Sequence, residues 1–133
     1  MKHTEQKKVN RHHALKVMDW CRIKYGRSKY NGRYPGLEFK IDRECLERYG
    51  YYDDIENVIV INSVTNTDVF TLINTVIEEW THYMQSQSEY SKLDEKYYYH
   101  EHPMELEAER IAKRDYKKCY KDLKKLHKSF AFL

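Results

Sequence analysis

The segment from residue 67 to residue 85 constrains the fold more than any other part of the chain. Its apolar side chains recur at helical spacing, which predicts one long helix with a broad apolar face. Either Asn66 or Thr67 can cap its start, and Asp68 suits the first turn because a carboxylate there complements the helix dipole. Such a face needs a core to cover it, so the rest of the chain is expected to pack around this helix. The apolar positions are Val69, Phe70, Ile73, Val76, Ile77 and Trp80.

Three polar residues near the end of this segment form a chemical motif. Glu78 and His82 are four positions apart, so their Cβ atoms lie about 5–6 Å from each other on one helix face. Glu79 borders the same face. This is the spacing of HExxH, in which two metal ligands lie one turn apart and the intervening Glu acts on a metal-bound water. Here the motif reads EExxH, because Glu78 stands at the first ligand position.

Composition limits the class of protein. The chain has 133 residues, of which 41% are hydrophobic and 34% are charged, so we predict one globular domain over residues 1–133. Its beginning has no apolar run and no stretch approaches membrane-spanning length, so we predict neither a signal peptide nor a membrane partner. Cys21, Cys45 and Cys119 form no CxxC pair, which argues against a zinc ribbon and favours reduced thiols in the cytoplasm.

The pattern upstream of the motif predicts an α+β fold with an N-terminal helix and a small sheet of about three strands. The helix is predicted over residues 6–25 and ends at Gly26. Alternating apolar residues predict a strand over 37–41, and a capping residue after it predicts a short helix over 42–48. The β-branched run over 58–61 predicts a strand that is covered on both faces.

Downstream of the motif we expect a loop and a second long helix. Residues 86–102 are polar and rich in tyrosine, which predicts a long loop, and Pro103 suits the first turn of the helix. Glu107 lies between Met104 and Ile111 on the apolar stripe of that helix. A carboxylate at such a position is paired, bound to a metal or at the edge of the stripe, and these alternatives stay open.

The segments VIEEWTHYMQ and HPMELEAERIA together resemble a small zinc metallopeptidase domain of the gluzincin group, which is common in bacteria and phages. In that group a second helix supplies a Glu ligand, often within a Glu-Ala pair, and here the pair is Glu107–Ala108. The resemblance covers residues 58–112 and implies a zincin-like fold with an active-site helix and a third-ligand helix. It also implies hydrolysis of a peptide or protein substrate by a metal-activated water.

The resemblance assigns a role to individual residues. It implies that His82 and Glu107 bind the metal and that Glu79 is the general base. It further implies that the strand over 58–61 is a sheet edge that binds the substrate in extended form. The residues of that strand are Val58, Ile59, Val60 and Ile61.

The departure at Glu78 affects the expected metal. With Glu78 as a ligand the set is harder than the usual two-His, one-Glu set, which favours manganese or iron alongside zinc. The added negative charge also makes a bound water less acidic. His100 or His102 could supply the missing imidazole, and Glu105 is the second choice for the ligand from the last helix.

Two further functions stay open. In the first, the zincin scaffold persists with a degenerate, metal-free site, and the protein is a structural or binding component, for example of a phage particle. In the second, basic and aromatic residues over 27–34 and the basic last helix bind nucleic acid. A solvated loop with its tyrosines folded onto the core is the preferred interpretation of 27–34. The expected location is the cytoplasm, which for a phage-encoded protein means the host cytoplasm or the virion. The sequence does not determine the oligomeric state.

Overall fold

The computed structural model describes residues 8–131 and 133, and over these residues the chain forms four α-helices and a three-stranded mixed sheet. The α+β class predicted from the sequence is therefore confirmed. Two short 3-10 helices, Tyr99–Glu101 and Lys128–Phe130, complete the order. The main elements are α1 (Arg11–Tyr25), β1 (Gly36–Lys40), β2 (Gly50–Asp53), β3 (Val58–Asn62), α2 (Val69–Met84), α3 (Gln87–Asp94) and α4 (Pro103–Leu126).

The central element is α2, as its apolar pattern predicted. It packs against α1, α4 and the sheet, and Trp80 near its end is only 1% exposed. Asp68, and not Asn66 or Thr67, is the N-cap, because its carboxylate accepts the N–H of Thr71 at 2.9 Å. A carboxylate cap satisfies a backbone donor that the first helical turn leaves unpaired.

The N-terminal helix begins later than the pattern suggested. The side chain of Asn10 accepts the N–H of His13 at 3.2 Å and caps the helix, so α1 starts at Arg11. Part of the predicted range, residues 6 and 7, lies outside the described residues. The predicted end is confirmed at Gly26, whose φ of 78° places it in a backbone region that favours glycine.

Beyond α1, both tyrosines of the basic loop are exposed, although Tyr34 borders the core. The ring of Tyr34 lies 6.2 Å from that of Trp80, with the guanidinium groups of Arg22 and Arg27 over it. Tyr30 is 57% exposed and Tyr34 is 43% exposed. The loop is joined to the core mainly through its backbone, because the hydroxyl of the buried Tyr83 accepts the N–H of Ser28 and donates to the carbonyl of Arg33.

The strand β3 lies in the centre of the sheet. It pairs in parallel with β1 and antiparallel with β2, in the order β1-β3-β2. The prediction that this strand is a sheet edge was therefore wrong, because neighbouring strands flank it on both sides. The residues concerned are Val58, Ile59, Val60 and Ile61.

The segment before β2 contains no helix, so the short helix predicted over residues 42–48 was wrong. Asp42 does act as a local cap, since its carboxylate accepts the N–H groups of Glu44 and Cys45. The chain then turns away because the side-chain amide of Asn62 donates to the carbonyls of this segment. These contacts bring the chain back to form β2, a strand that the sequence pattern did not reveal.

Gly50 of β2 leaves no room for a side chain. A Cβ added there would lie 2.6 Å from the carbonyl oxygen of Val60 and 3.0 Å from a methyl group of Thr75. We expect Gly50→Ala to push β2 away from β3 and α2 and to lower the free energy of unfolding by about 1–3 kcal/mol. Urea unfolding measures the change. Gly32→Ala is the matched control, because nothing lies within 4 Å of its Cβ, and equal midpoints for the two variants would contradict the prediction.

The region after α2 is more ordered than predicted. Residues 86–102 were expected to form a loop, but they contain α3 and a 3-10 helix. The hydroxyl of Ser86 caps α3 by accepting the N–H of Glu89. The helix α4 begins at Pro103 as predicted. None of the helices in the described ranges combines the length and the apolar character that crossing a membrane requires.

Candidate functional site

The polar residues at the end of α2 meet β2, α3 and the start of α4 around a cavity of about 230 Å³. Of the residues singled out from the sequence, this cavity contains Glu79, His82 and Glu105. It does not contain Glu78 or Glu107. Its lining comprises Arg48, Gly50, Tyr51, Tyr52, Glu79, His82, Gln87, Tyr90, Tyr99 and Glu105.

His82 and Glu105 form the central contact of this site. The distance from His82 Nε2 to Glu105 Oε1 is 2.9 Å. Burial lowers the pKa of His82, but the hydrogen bond to Glu105 and the charges of nearby carboxylates outweigh burial and raise it to about 9. Burial likewise raises the pKa of Glu105, and hydrogen bonds from His82 and Tyr90 outweigh it and hold this pKa below its usual value. The two side chains therefore form an ion pair near neutral pH.

Gln85 determines how His82 presents its ring. Its side-chain oxygen lies 2.7 Å from His82 Nδ1, and its amide nitrogen donates to the Met104 carbonyl and to Glu107 Oε1, both at 2.9 Å. Because an amide oxygen only accepts, Nδ1 carries a hydrogen, and Nε2 is the nitrogen aimed at Glu105. Metal-binding histidines have this arrangement, since they donate the other ring N–H to an oxygen.

Glu105, and not Glu107, faces His82. Glu105 is 7% exposed, whereas Glu107 is exposed and touches the site only through Gln85. The prediction that Glu107 lies on the inward stripe of the last helix was therefore wrong. The buried stripe of α4 runs instead through Glu105, Ala108 and Ala112. The small side chains of the two alanines permit close packing of α4 against α2.

The two glutamates of the motif face different spaces. Glu79 is 8% exposed and lines the cavity together with Tyr52. Burial raises its pKa to about 7, and the charge of His82 opposes this rise. Glu78 is half-buried and lines a neighbouring groove, and burial together with the charge of Glu109 raises its pKa to about 7.

Tyr90 of α3 was missed by the sequence analysis, although it contacts the site directly. Its hydroxyl donates to Glu105 Oε2, and its ring stacks on His102 with a centroid distance of 4.1 Å. The only sequence signal was the concentration of tyrosines in 86–102, and nothing in that pattern distinguishes Tyr90 from Tyr97 or Tyr98.

The two histidines before α4 have other partners. His102 is fully buried, its Nδ1 accepts the N–H of Met104, and its Nε2 donates to the carbonyl of Tyr90. Both ring nitrogens of His102 are therefore occupied. His100 is exposed, and its ring stacks on Tyr98.

The donor set fits a divalent cation in part. Among residues 8–131 and 133, no three His, Cys, Asp or Glu side chains are already gathered as a metal cage. Two donor atoms, His82 Nε2 and Glu105 Oε1, lie next to each other. Gln85 bonds to the other ring nitrogen of His82, Nδ1, so Nε2 is the nitrogen that could bind an ion. Glu78 and Glu79 add carboxylates whose pKa values are raised, and a cation would favour their ionised forms.

Comparison with known proteins gives no match. No protein-family model, no curated protein and no solved structure is significantly similar to this chain. The functional conclusion therefore depends on the geometry of the site.

Proposed function

We propose that the protein is a metal-dependent hydrolase of peptide bonds with a zincin-like arrangement, in which α2 is the active-site helix and α4 is the ligand helix. One observation carries this proposal. A buried carboxylate, Glu79, shares a cavity with the His82–Glu105 pair, and the edge strand β2 forms one wall of that cavity. A general base, two ligand types and a strand edge are the parts that such hydrolysis needs.

The metal would be held by His82 and Glu105. Glu78 lines the neighbouring groove, so it would become the third ligand only by turning its carboxylate toward the cavity. Glu105 thus takes the role that the resemblance gave to Glu107, and Glu107 supports His82 through Gln85. When bound, the ion supplies Lewis acidity that polarises the carbonyl and makes a water more acidic. Zinc is compatible with one imidazole and two carboxylates, and manganese or iron suits their hardness.

Glu79 would act as the general base and then as the acid. A pKa of about 7 is well matched to neutral pH, where the group can both take up and release a proton. It takes a proton from the attacking water and passes it to the leaving amine.

The substrate would bind in extended form beside β2 and not beside β3. In the sheet order β1-β3-β2, β2 has a strand neighbour on one side only. Three of its residues, Gly50, Tyr51 and Tyr52, line the cavity. A peptide that adds to a strand edge gains main-chain hydrogen bonds without depending on its sequence.

A second candidate function is supported by the hydrogen bonds that His82 and Glu105 already make within the protein. His82 Nε2 and Glu105 Oε1 bond to each other, and Tyr90 occupies the other carboxylate oxygen. A site that satisfies itself in this way suits a catalytically degenerate zincin fold. Such a protein would be a structural or binding component, for example of a phage particle.

Metal analysis of protein purified without chelator distinguishes the two candidates. A hydrolase should retain zinc, manganese or iron in proportion to protein, and it should cleave a mixed peptide pool only when the ion is present. Protein that neither retains nor takes up these ions would reject the hydrolase and leave the degenerate scaffold.

We also propose the cytoplasm as the location. Cys21, Cys45 and Cys119 are free thiols in the described structure. Burial raises the pKa of Cys21 well above its ordinary value, so it stays protonated and unreactive. Unpaired thiols suit a reducing compartment.

Replacing Glu78 tests the metal site directly. We expect Glu78→His to bind zinc at least about tenfold more tightly than the natural protein, because zinc prefers imidazole and position 78 is one turn before His82. Titration calorimetry measures the affinity. Adding Glu79→Gln should preserve binding but prevent any gain of peptidase activity.

Glu105 and Glu107 provide matched controls for this experiment. In the Glu78→His protein, Glu105→Gln should abolish zinc binding, whereas Glu107→Gln should reduce it only modestly. The opposite order, or no zinc binding by Glu78→His, would show that His82 and Glu105 do not form a metal site.

A further inference from the structure

A second concave surface lies between α2 and α4. It is a groove of about 770 Å³ that begins where the candidate site ends. Glu78 lines the groove and its neighbour Glu79 lines the site. Likewise, Tyr49 lines the groove and Gly50 lines the site. An extended ligand that leaves the site along α2 would therefore enter the groove.

One wall of the groove is aromatic. Phe70 is 43% exposed, although it belongs to the apolar stripe of α2. Its ring lies 4.8 Å from that of Tyr120 and 6.0 Å from that of Tyr116, with an interplanar angle of 90° to Tyr116. Because Phe70 packs against both tyrosine rings, the three side chains form an apolar wall and not separate platforms on which bases could stack. This geometry favours an apolar side chain as the occupant.

The rim of the groove carries two cations without acidic partners. Lys113 and Lys117 line it and are exposed, and within the described part of the chain neither forms an ion pair. Lys118 on the same helix does pair with Asp122, at 2.9 Å. The ammonium of Lys117 lies 5.9 Å from the centre of the Tyr116 ring, so the free charge borders the apolar wall.

We infer that this groove is a specificity subsite for an acidic peptide segment. A large apolar side chain packs on Phe70, Tyr116 and Tyr120, and carboxylates beside it pair with Lys113 and Lys117. The inference rests on the proposed function for the role of the peptide as a substrate, but binding in the groove requires no catalysis. Charge complementarity of this kind gives specificity at an interface.

Calorimetry with short blocked peptides tests the subsite. The probe is a Gly/Ser peptide with a central Asp-Phe-Glu, compared with peptides that carry Lys-Phe-Lys or Asp-Ala-Glu. We expect the Asp-Phe-Glu peptide to bind about tenfold more tightly than either, because Lys-Phe-Lys loses two exposed ion pairs and Asp-Ala-Glu loses the burial of the apolar ring. A thymidine oligonucleotide is the alternative anion, and tighter binding of it than of the peptide would overturn the inference.

Charge reversal on α4 locates the effect. The double variant Lys113→Glu with Lys117→Glu should lose the preference for Asp-Phe-Glu or reverse it to Lys-Phe-Lys. Lys121→Glu with Lys125→Glu changes the same helix by the same charge outside the groove and should keep the preference. Circular dichroism melts check the fold of both proteins, and equal effects of the two double variants would overturn the subsite.

Mass spectrometry of the same samples separates the two proposals. Selective binding without cleavage in the presence of added zinc or manganese would reject the hydrolase and leave the groove as a peptide-binding site. Cleavage without any preference for acidic peptides would reject the subsite and leave the hydrolase.

Discussion

Replacing Glu79 with glutamine is expected to lower kcat/KM for peptide hydrolysis by about 10²–10⁴-fold, which is the usual contribution of a general acid or base. Glutamine has the same shape but takes up no proton at neutral pH. The loss should appear in kcat, while the metal content and peptide affinity should change little. Glu89→Gln is a suitable control, because Glu89 is exposed and does not line the cavity. Equal activity of natural and Glu79→Gln protein would remove Glu79 from the mechanism.

The pH dependence provides a second readout of Glu79. The group acts as a base only when it is ionised, so the rate should rise with pH as Glu79 loses its proton, and a bound cation would shift this rise below the metal-free pKa of about 7. For stability the sign is opposite. The folded protein holds this proton to a higher pH than the unfolded chain does, so its stabilising contribution is fully present below the unfolded pKa and is lost as pH rises through about 7. Glu79→Gln should remove this part of the pH dependence of unfolding.

Truncation of Trp80 to alanine is expected to lower the free energy of unfolding by about 3–5 kcal/mol, as for other large buried aromatic residues. Trp80 is 1% exposed, and its ring lies 5.3 Å from that of Tyr83. Its indole N–H also donates to the carbonyl of Gly26 at 3.3 Å, so alanine would leave both a cavity and an unpaired acceptor. Denaturant unfolding measures the loss.

An exposed apolar residue provides the control for Trp80. Ile55 is 88% exposed, and Ile55→Ala should change stability by less than about 0.5 kcal/mol. A loss of less than about 1 kcal/mol for Trp80→Ala would mean that this face of α2 does not support the core.

Local patterns in the chain were sufficient to locate α1, α2, α4, β1 and β3, but not β2 or α3. The helical spacing of apolar residues located α2, Gly26 ended α1, and Pro103 began α4. These signals act within one or two turns of a helix, so they need no knowledge of distant contacts. The spacing of Glu79 and His82 on one helix is of the same kind, and both residues line the cavity.

The partners of that motif depended on contacts between distant segments. Whether Glu105 or Glu107 faces His82 depends on which face of α4 packs against α2, and the buried face is the one with Ala108 and Ala112. The spacing of Glu105, Ala108 and Ala112 fits one helical stripe. Met104, Glu107 and Ile111 fit a competing stripe, and only packing against α2 decides between the two.

The identity of the edge strand had the same nonlocal origin. The sequence GYYD of β2 has no alternation, and it becomes a strand because it pairs with β3 in the register Tyr52 to Ile59. Because of that pairing, β3 lies at the centre of the sheet and β2 lies at its edge, beside Glu79. Strand pairing is decided by tertiary contacts more than by the residues of one strand, so local sequence could indicate the helix that carries the site but not the strand that faces it.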